Sequence, residues 1–134
     1  VDTRGDVVRR YLASFATGDP DAVAACVTDD FVNEHLAELG FGSVGRDEYR
    51  SRLPGFLTAF AGARYTVVTL GVLAETDPPA HGDVVVRYRF EANHEGTTID
   101  LPGVMWFAVR DGLVARRTDL WDSLTFLRQT GQAD

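Results

Sequence analysis

The hydrophobic period of this chain changes once, near residue 64, and that change limits the fold more than any other feature. Before it, apolar residues recur at helical spacing; after it, they alternate. Val7, Val8, Tyr11, Leu12 and Phe15 fall on one helical face, opened by a capping-box-like Thr3 and Asp6 and closed at Gly18. Asp19-Pro20 reads as an N-cap followed by Pro at the first helical position, opening a short second helix through Val27. Phe31 to His35 is a short extended segment, with Phe31, Asn33 and His35 on one face. Arg46 to Ala61 is a third helix with Leu53, Phe56, Leu57 and Phe60 as its buried stripe. Pro54 inside it predicts a kink or a late start.

The second half reads as strands: Arg64 to Ala74, Val84 to Ala92, Thr97 to Arg110 and Leu113 to Asp122. Turns fall at Glu95-Gly96 and Asp111-Gly112, and a loop carries Pro78-Pro79. Gly71 and Pro102-Gly103 are the expected bulges, which would curl the sheet. Ser123 to Gln129 reads as a short tail. Helices followed by an antiparallel meander predict an α+β fold rather than a parallel sheet. Three N-terminal helices laid across the concave face of a curved antiparallel sheet would enclose a pocket. With 134 residues and no linker or repeat, the chain is expected to form one domain spanning residues 1–134.

Composition removes several kinds of function. The formal net charge is −7 and the cations are scattered, which argues against nucleic acid and against an anionic membrane surface. The chain has 13 Arg and no Lys, so chemistry through a lysine Schiff base is excluded. Cys26 is the sole cysteine and reads as a small buried hydrophobe. His35, His81 and His94 lack metal-ligand spacing, so no metal is expected. No signal peptide or membrane-length apolar run is recognisable, and the default expectation is a cytoplasmic protein.

Asp119 is the sharpest chemical signal. Leu113, Ala115, Arg117, Asp119 and Trp121 share one face of the last strand, and an inward-facing acid is costly unless it is paired or useful. Val114, Thr118 and Leu120 offer a competing apolar face, so period alone leaves the concave side open. An ion pair of Asp119 with Arg117 or Arg87 is the structural alternative. His35 titrates near neutrality in its unperturbed state and is a candidate base. Tyr11 fits the first helix's core stripe and is also a candidate oxyanion donor. Arg87 and Arg89 alternate with Val86, Tyr88 and Phe90; they read as an exposed or dimer-facing side, or as a cationic clamp. Trp106 and Trp121 read as core or pocket-wall aromatics.

The stretch Tyr11 to Asp19, followed by Thr28-Asp29-Asp30-Phe31, resembles the N-terminal third of ketosteroid isomerases. Asp111 to Asp122 resembles the last strand of SnoaL-like polyketide cyclases and limonene-epoxide hydrolases, and Ile99 to Val109 resembles the strand before it in the latter. The resemblance implies a cone-shaped fold of the nuclear transport factor 2-like type, working without a cofactor and commonly as a homodimer. It places Tyr11 at the isomerases' oxyanion tyrosine and His35 at their Asp base. Val104 and Met105 stand where those enzymes carry a second donor. For the epoxide hydrolases it aligns Asp119 and Arg87 with two members of an Asp-Arg-Asp set, with Arg89 in place of the second Asp. Asn33 and His35 stand at the positions that hold the water.

Three functions follow as expectations. The first is a cofactor-independent isomerase or aldol-type cyclase acting on a small hydrophobic carbonyl compound, with Asp119, His35 and Tyr11 catalytic. Asn33, Arg87, Trp106 and Trp121 would contact the ligand. The second is a non-catalytic ligand-binding or dimerisation module. The third is an epoxide hydrolase.

Overall fold

The computed structural model describes residues 2–73 and 83–134. Ala74, the Pro78-Pro79 loop and His81 lie outside the described residues.

The first helix, α1 (Arg4–Ser14), begins at the expected capping box, with Thr3 and Asp6 each accepting from the other's backbone N–H. A 3-10 turn over Phe15–Thr17 follows, and Gly18 ends it in the left-handed region at φ 67°. Asp19 caps α2 (Pro20–Ala24), which is shorter than predicted because Val27 already belongs to a strand. That strand, β1 (Val27–His35), pairs with the two-residue β2 (Ser43–Val44). Next, α3 (Arg46–Ala59) runs through Pro54 without a late start. Its buried residues are Tyr49 and Leu53, with Phe56 and Leu57 packed at the core's margin. The meander is β3 (Ala61–Val72), β4 (Val84–His94), β5 (Thr97–Arg110) and β6 (Leu113–Trp121). The last element, α4 (Ser123–Gln129), was read from sequence as a tail; Asp122 caps it by accepting from the Thr125 N–H.

The sheet order is β2-β1-β6-β5-β4-β3. All neighbours are antiparallel except β1 and β6, which run parallel, so the sheet is mixed. That pair sets His35 beside Asp119 and Asn33 beside Arg117. Both hairpin turns put non-glycine residues at positive φ, Glu95 at 52° and Asp111 at 54°, each followed by a glycine that takes the second positive φ.

The expected bulges are elsewhere. Gly71 pairs regularly with Val85, and Pro102-Gly103 pairs regularly with Arg89 and Tyr88. Register slips instead at Val68, near Gly62, at Ala115 of β6, and within β1 between Val27 and Val32. The slip at Ala115 changes side-chain parity, so Val114 is in the core while Arg117, Asp119 and Trp121 also face inward. It resolves the choice between the two faces of this strand: each supplies the inner side over part of its length.

The core lies between the sheet's inner face and the helices, built on Val7, Val8, Tyr11 and Leu12 of α1, Val86 and Tyr88 of β4, and Met105 and Phe107 of β5. Among the described residues there are four α-helices: α1 to α3 precede the meander, and α4 follows it as an addition to the expected three. Neither α1 nor α2 contributes to the cavity wall; α3, the 3-10 turn and α4 do.

Candidate functional site

A cavity of about 400 Å³ opens between the sheet and α3. One end is aromatic and aliphatic, formed by Phe56, Phe60, Phe90, Leu101, Trp121 and Phe126. The other end is polar and is built on the three adjacent strands β2, β1 and β6. This division suits a mostly apolar molecule carrying a few polar atoms at one end.

On β6, Asp119 is 2% exposed and Arg117 is 4% exposed, and the two are ion-paired at 2.9 Å. They share a face because they are two residues apart on a strand. The second oxygen of Asp119 accepts from the Tyr88 hydroxyl at 2.6 Å. That contact needs Gly103, which lies opposite Tyr88; a β-carbon there would sit 2.3 Å from the Tyr88 oxygen. Burial, and next the Asp119 charge, hold the Tyr88 phenol far above its ordinary pKa, so it is a permanent donor.

Arg117 also donates to the hydroxyls of Tyr11 at 2.9 Å and Tyr65 at 3.2 Å. Its guanidinium carbon lies 5.6 to 5.9 Å from the ring centroids of Tyr11, Phe15 and Tyr65, an aromatic enclosure that suits a cation. Tyr11 and Tyr49 share a 2.5 Å hydrogen bond. Burial raises the pKa of Tyr11, Tyr49 and Tyr65, so all three stay protonated. Tyr65 accepts from Arg117 and makes no other side-chain hydrogen bond among the described residues, which leaves its own proton available to the cavity.

On β1, the ring of His35 lines the cavity with Nδ1 3.8 Å from Asp119 Oδ2. Burial lowers its pKa to about 4, and the Arg117 charge adds to the fall; the Asp119 carboxylate opposes both and loses. His35 is therefore neutral around pH 7. A neutral imidazole has one N–H and one lone pair. Placing the proton on Nδ1, the nitrogen that faces Asp119 across 3.8 Å, leaves the lone pair on Nε2.

The structure thus brings Asp119, His35, Asn33 and Trp121 to one cavity. Tyr11 is fully buried behind Arg117 and is not in the wall; it supports Arg117 and Tyr49 rather than meeting a ligand. Arg87 and Trp106 are corrected outright. They project from the opposite sheet face, because Tyr88 and Met105 beside them point inward, so neither reaches the cavity. Arg89 is also outside, in a two-point ion pair with Asp100. Arg117 holds the place expected of Arg87.

Tyr49, Tyr65, Tyr88 and Ser43 were not singled out from sequence. Tyr49 had a legible signal, since it extends the Leu53 and Phe56 stripe back by one turn. Tyr88 had been read as one apolar position among others, and its approach to Asp119 depends on pairing across β5.

Comparison with known proteins agrees with this architecture. The family model described as a SnoaL-like domain matches residues 8–117. The chain belongs to the SnoaL-like domain family. A search of curated proteins finds no significant match to this SnoaL-like chain.

Among solved structures, the SnoaL-like chain is similar to a Catenulispora acidiphila protein of ketosteroid isomerase-like fold, crystallised in complex with trimethylamine. The TM-score is 0.81 at 14% identity, over 96% of this chain and 95% of that one. It is similar to a candidate polyketide cyclase from Xanthomonas campestris pv. campestris, with TM-score 0.71, 24% identity, and coverage of 93% and 94%. It is also similar to an LEH-like epoxide hydrolase from M. tuberculosis, with TM-score 0.73, 17% identity, and coverage of 92% and 85%. At these identities the likeness shows the fold, which hosts several chemistries. Among the described residues of this SnoaL-like domain, no helix is long and apolar enough to cross a membrane.

Proposed function

We propose that this SnoaL-like protein is a cofactor-independent acid–base enzyme that isomerises or cyclises a small, largely apolar carbonyl compound. The observation that carries the reading is the presence, in one cavity, of a neutral His35 backed by Asp119 and a Tyr65 hydroxyl backed by Arg117. Proton removal beside a carbonyl needs a base and a donor at the oxygen that becomes negative. His35 takes the proton on Nε2, and Asp119 orients the ring and steadies the imidazolium. Tyr65, polarised by Arg117, donates to the enolate oxygen. A conjugate acid near pH 4 is serviceable for this task, since an Asp base of similar strength works in ketosteroid isomerase when the oxyanion is well held. The enolate then takes that proton back from His35 at a different carbon, or attacks a second carbonyl, whose oxygen takes the proton as the new carbon–carbon bond forms.

The test is hydrogen–deuterium exchange at the α-carbon of 2-tetralone, followed by proton NMR. The reading predicts enzyme-dependent exchange, depressed at least tenfold by Asp119→Asn and by His35→Ala, with circular dichroism unchanged. Wild-type exchange rates in both folded variants would sink it.

A second reading, a binding module without catalysis, has one observation in its favour: both Asp119 oxygens are already engaged, as in a structural clamp. Binding of 2-tetralone with no exchange would support it. Epoxide opening is disfavoured because Asp119 is the only carboxylate among the described residues lining the cavity. Exposed Val68 and Leu120, with half-buried Trp106, on the outer sheet face support a homodimer formed through that face. Sedimentation velocity would test it, a monomer at micromolar concentration being the contrary result.

A further inference from the structure

The polar end of the cavity holds a group of atoms that the proposed reaction does not use. Asn33 is 9% exposed and Ser43 is 7% exposed, and both line the cavity. They are directly paired across β1 and β2, which puts their side chains on the same face at neighbouring positions. His35 is two residues along β1 on that face. Among the described residues, Asn33 Oδ1 and Ser43 Oγ are both buried and have no hydrogen-bond partner. Buried polar groups are nearly always partnered, and two exceptions side by side on a cavity wall need a common cause.

Local structure does not supply one. Ser43 is fixed by the short β2 strand, and its neighbour Val44 is 70% exposed, so the strand turns the serine rather than the valine inward. Gly42 is held close against this strand pair; a β-carbon there would meet the Asn33 carbonyl oxygen at 2.6 Å. Gly40 is likewise packed on His35, its hypothetical β-carbon 2.4 Å from that residue's Cβ. The two glycines thus bring the chain close against β1, and an apolar pair in place of Asn33 and Ser43 would carry less desolvation cost.

We propose that Asn33 and Ser43 form a second polar subsite for a hydroxyl group of the substrate. The substrate is then a hydroxylated carbonyl compound, with its carbonyl at Tyr65 and its hydroxyl on the β1–β2 wall. An amide and a serine hydroxyl together accept and donate, which matches a hydroxyl and not a second carbonyl alone. A site built to hydrogen-bond a hydroxyl discriminates strongly against the analogue that lacks it, because its own buried groups are then left unpaired. Asn33 and Ser43 act by positioning; neither exchanges a proton with the reacting carbon. The inference rests on the cavity being the substrate site, as proposed above.

Naphthols test it by binding alone, with quenching of Trp121 in the cavity wall as the signal and Trp106→Phe as the background to isolate it. The probes are 2-naphthol, whose single hydroxyl mimics an enol, and the set of dihydroxynaphthalenes carrying one hydroxyl at position 2. At least one dihydroxy isomer is expected to bind ten-fold or more tighter than 2-naphthol. Asn33→Leu and Ser43→Ala should each erase most of that advantage while leaving 2-naphthol affinity within about three-fold. Equal affinity of 2-naphthol and every dihydroxy isomer for the Trp106→Phe protein overturns the subsite and leaves the catalytic reading standing. A preference that survives both variants overturns it as well. Loss of exchange activity toward 2-tetralone bears on the catalytic reading only, so the two failures are distinguishable.

Discussion

The two polar walls of the cavity are finished to different degrees. On β6, Asp119 has two donors and Arg117 has three acceptors, with only its Nε atom unpartnered. On β1 and β2, among the described residues, Asn33 and Ser43 each keep an unpartnered buried atom. A complete network holds itself in place; an incomplete one gains its partners from whatever enters. The Arg117–Asp119 pair accordingly positions, and the Asn33–Ser43 pair recognises. Stability should depend on the first pair and hardly on the second.

The largest expected effect is on the finished wall. Arg117→Met leaves Asp119 charged and buried with its main counter-charge gone, which costs about 3–5 kcal/mol. Urea denaturation measures it. Combining Arg117→Met with Asp119→Leu should recover most of that loss, since an apolar pair is commonly no worse than the ion pair it replaces. A double variant as unstable as Arg117→Met alone would break the distinction between a positioning clamp and a binding wall.

Acid comes next. The His35 pKa is lowered from 6.5 to about 4 by folding, so between those values the unfolded chain binds the extra proton. Stability from this group is complete above the unfolded pKa and falls as pH drops toward the folded one, by at most about 3 kcal/mol. Relative to His35→Gln, the wild type should lose stability over that window and not outside it. Parallel stability curves for the two proteins would contradict the burial of a neutral imidazole.

A smaller effect is expected at Tyr88. Tyr88→Phe leaves one buried Asp119 oxygen without its donor, at a cost of about 1–3 kcal/mol. Gly103→Ala should act on the same contact, since its methyl collides with the Tyr88 hydroxyl. The double variant should therefore cost less than the sum of the two singles. Strict additivity would mean that Gly103 matters for something other than Tyr88.

The smallest effect is on the unfinished wall and carries the opposite sign. Ser43→Ala removes a buried hydroxyl that has no partner, and stability should hold or rise by up to about 1 kcal/mol. A clear loss in thermal denaturation would show that the serine is structural.

The sequence was most legible where local chemistry decides the outcome. Thr97 to Arg110 emerged with both ends correct because Glu95-Gly96 and Asp111-Gly112 bracket it with turn residues. It was least legible where strands choose partners. Bulges were expected at glycines, yet the slips at Val68 and Ala115 answer to register with neighbouring strands, which no single strand encodes. The C-terminal helix escaped notice because seven residues carry little periodicity and its cap, Asp122, looked like the end of a strand.

The site divides in the same way. Asp119 and His35 stood out as polar residues at positions that look inward, and they are neighbours across β1 and β6. Arg87 was aligned by resemblance, but the alternation of Val86, Tyr88 and Phe90 already turned it outward. Arg117 was legible only as a partner for Asp119, and the tyrosines around it came from α1, α3, β3 and β4, elements whose convergence belongs to the fold.

The account turns on His35 being neutral, with its Nδ1 proton directed at Asp119 and its Nε2 lone pair free. Long-range nitrogen–proton NMR of histidine-labelled protein reads both features directly, with His35→Gln to assign the signal. The expected result at pH 7 is a neutral ring protonated on Nδ1 and a titration midpoint near pH 4. An imidazolium at that pH, or a ring protonated on Nε2, would contradict the account.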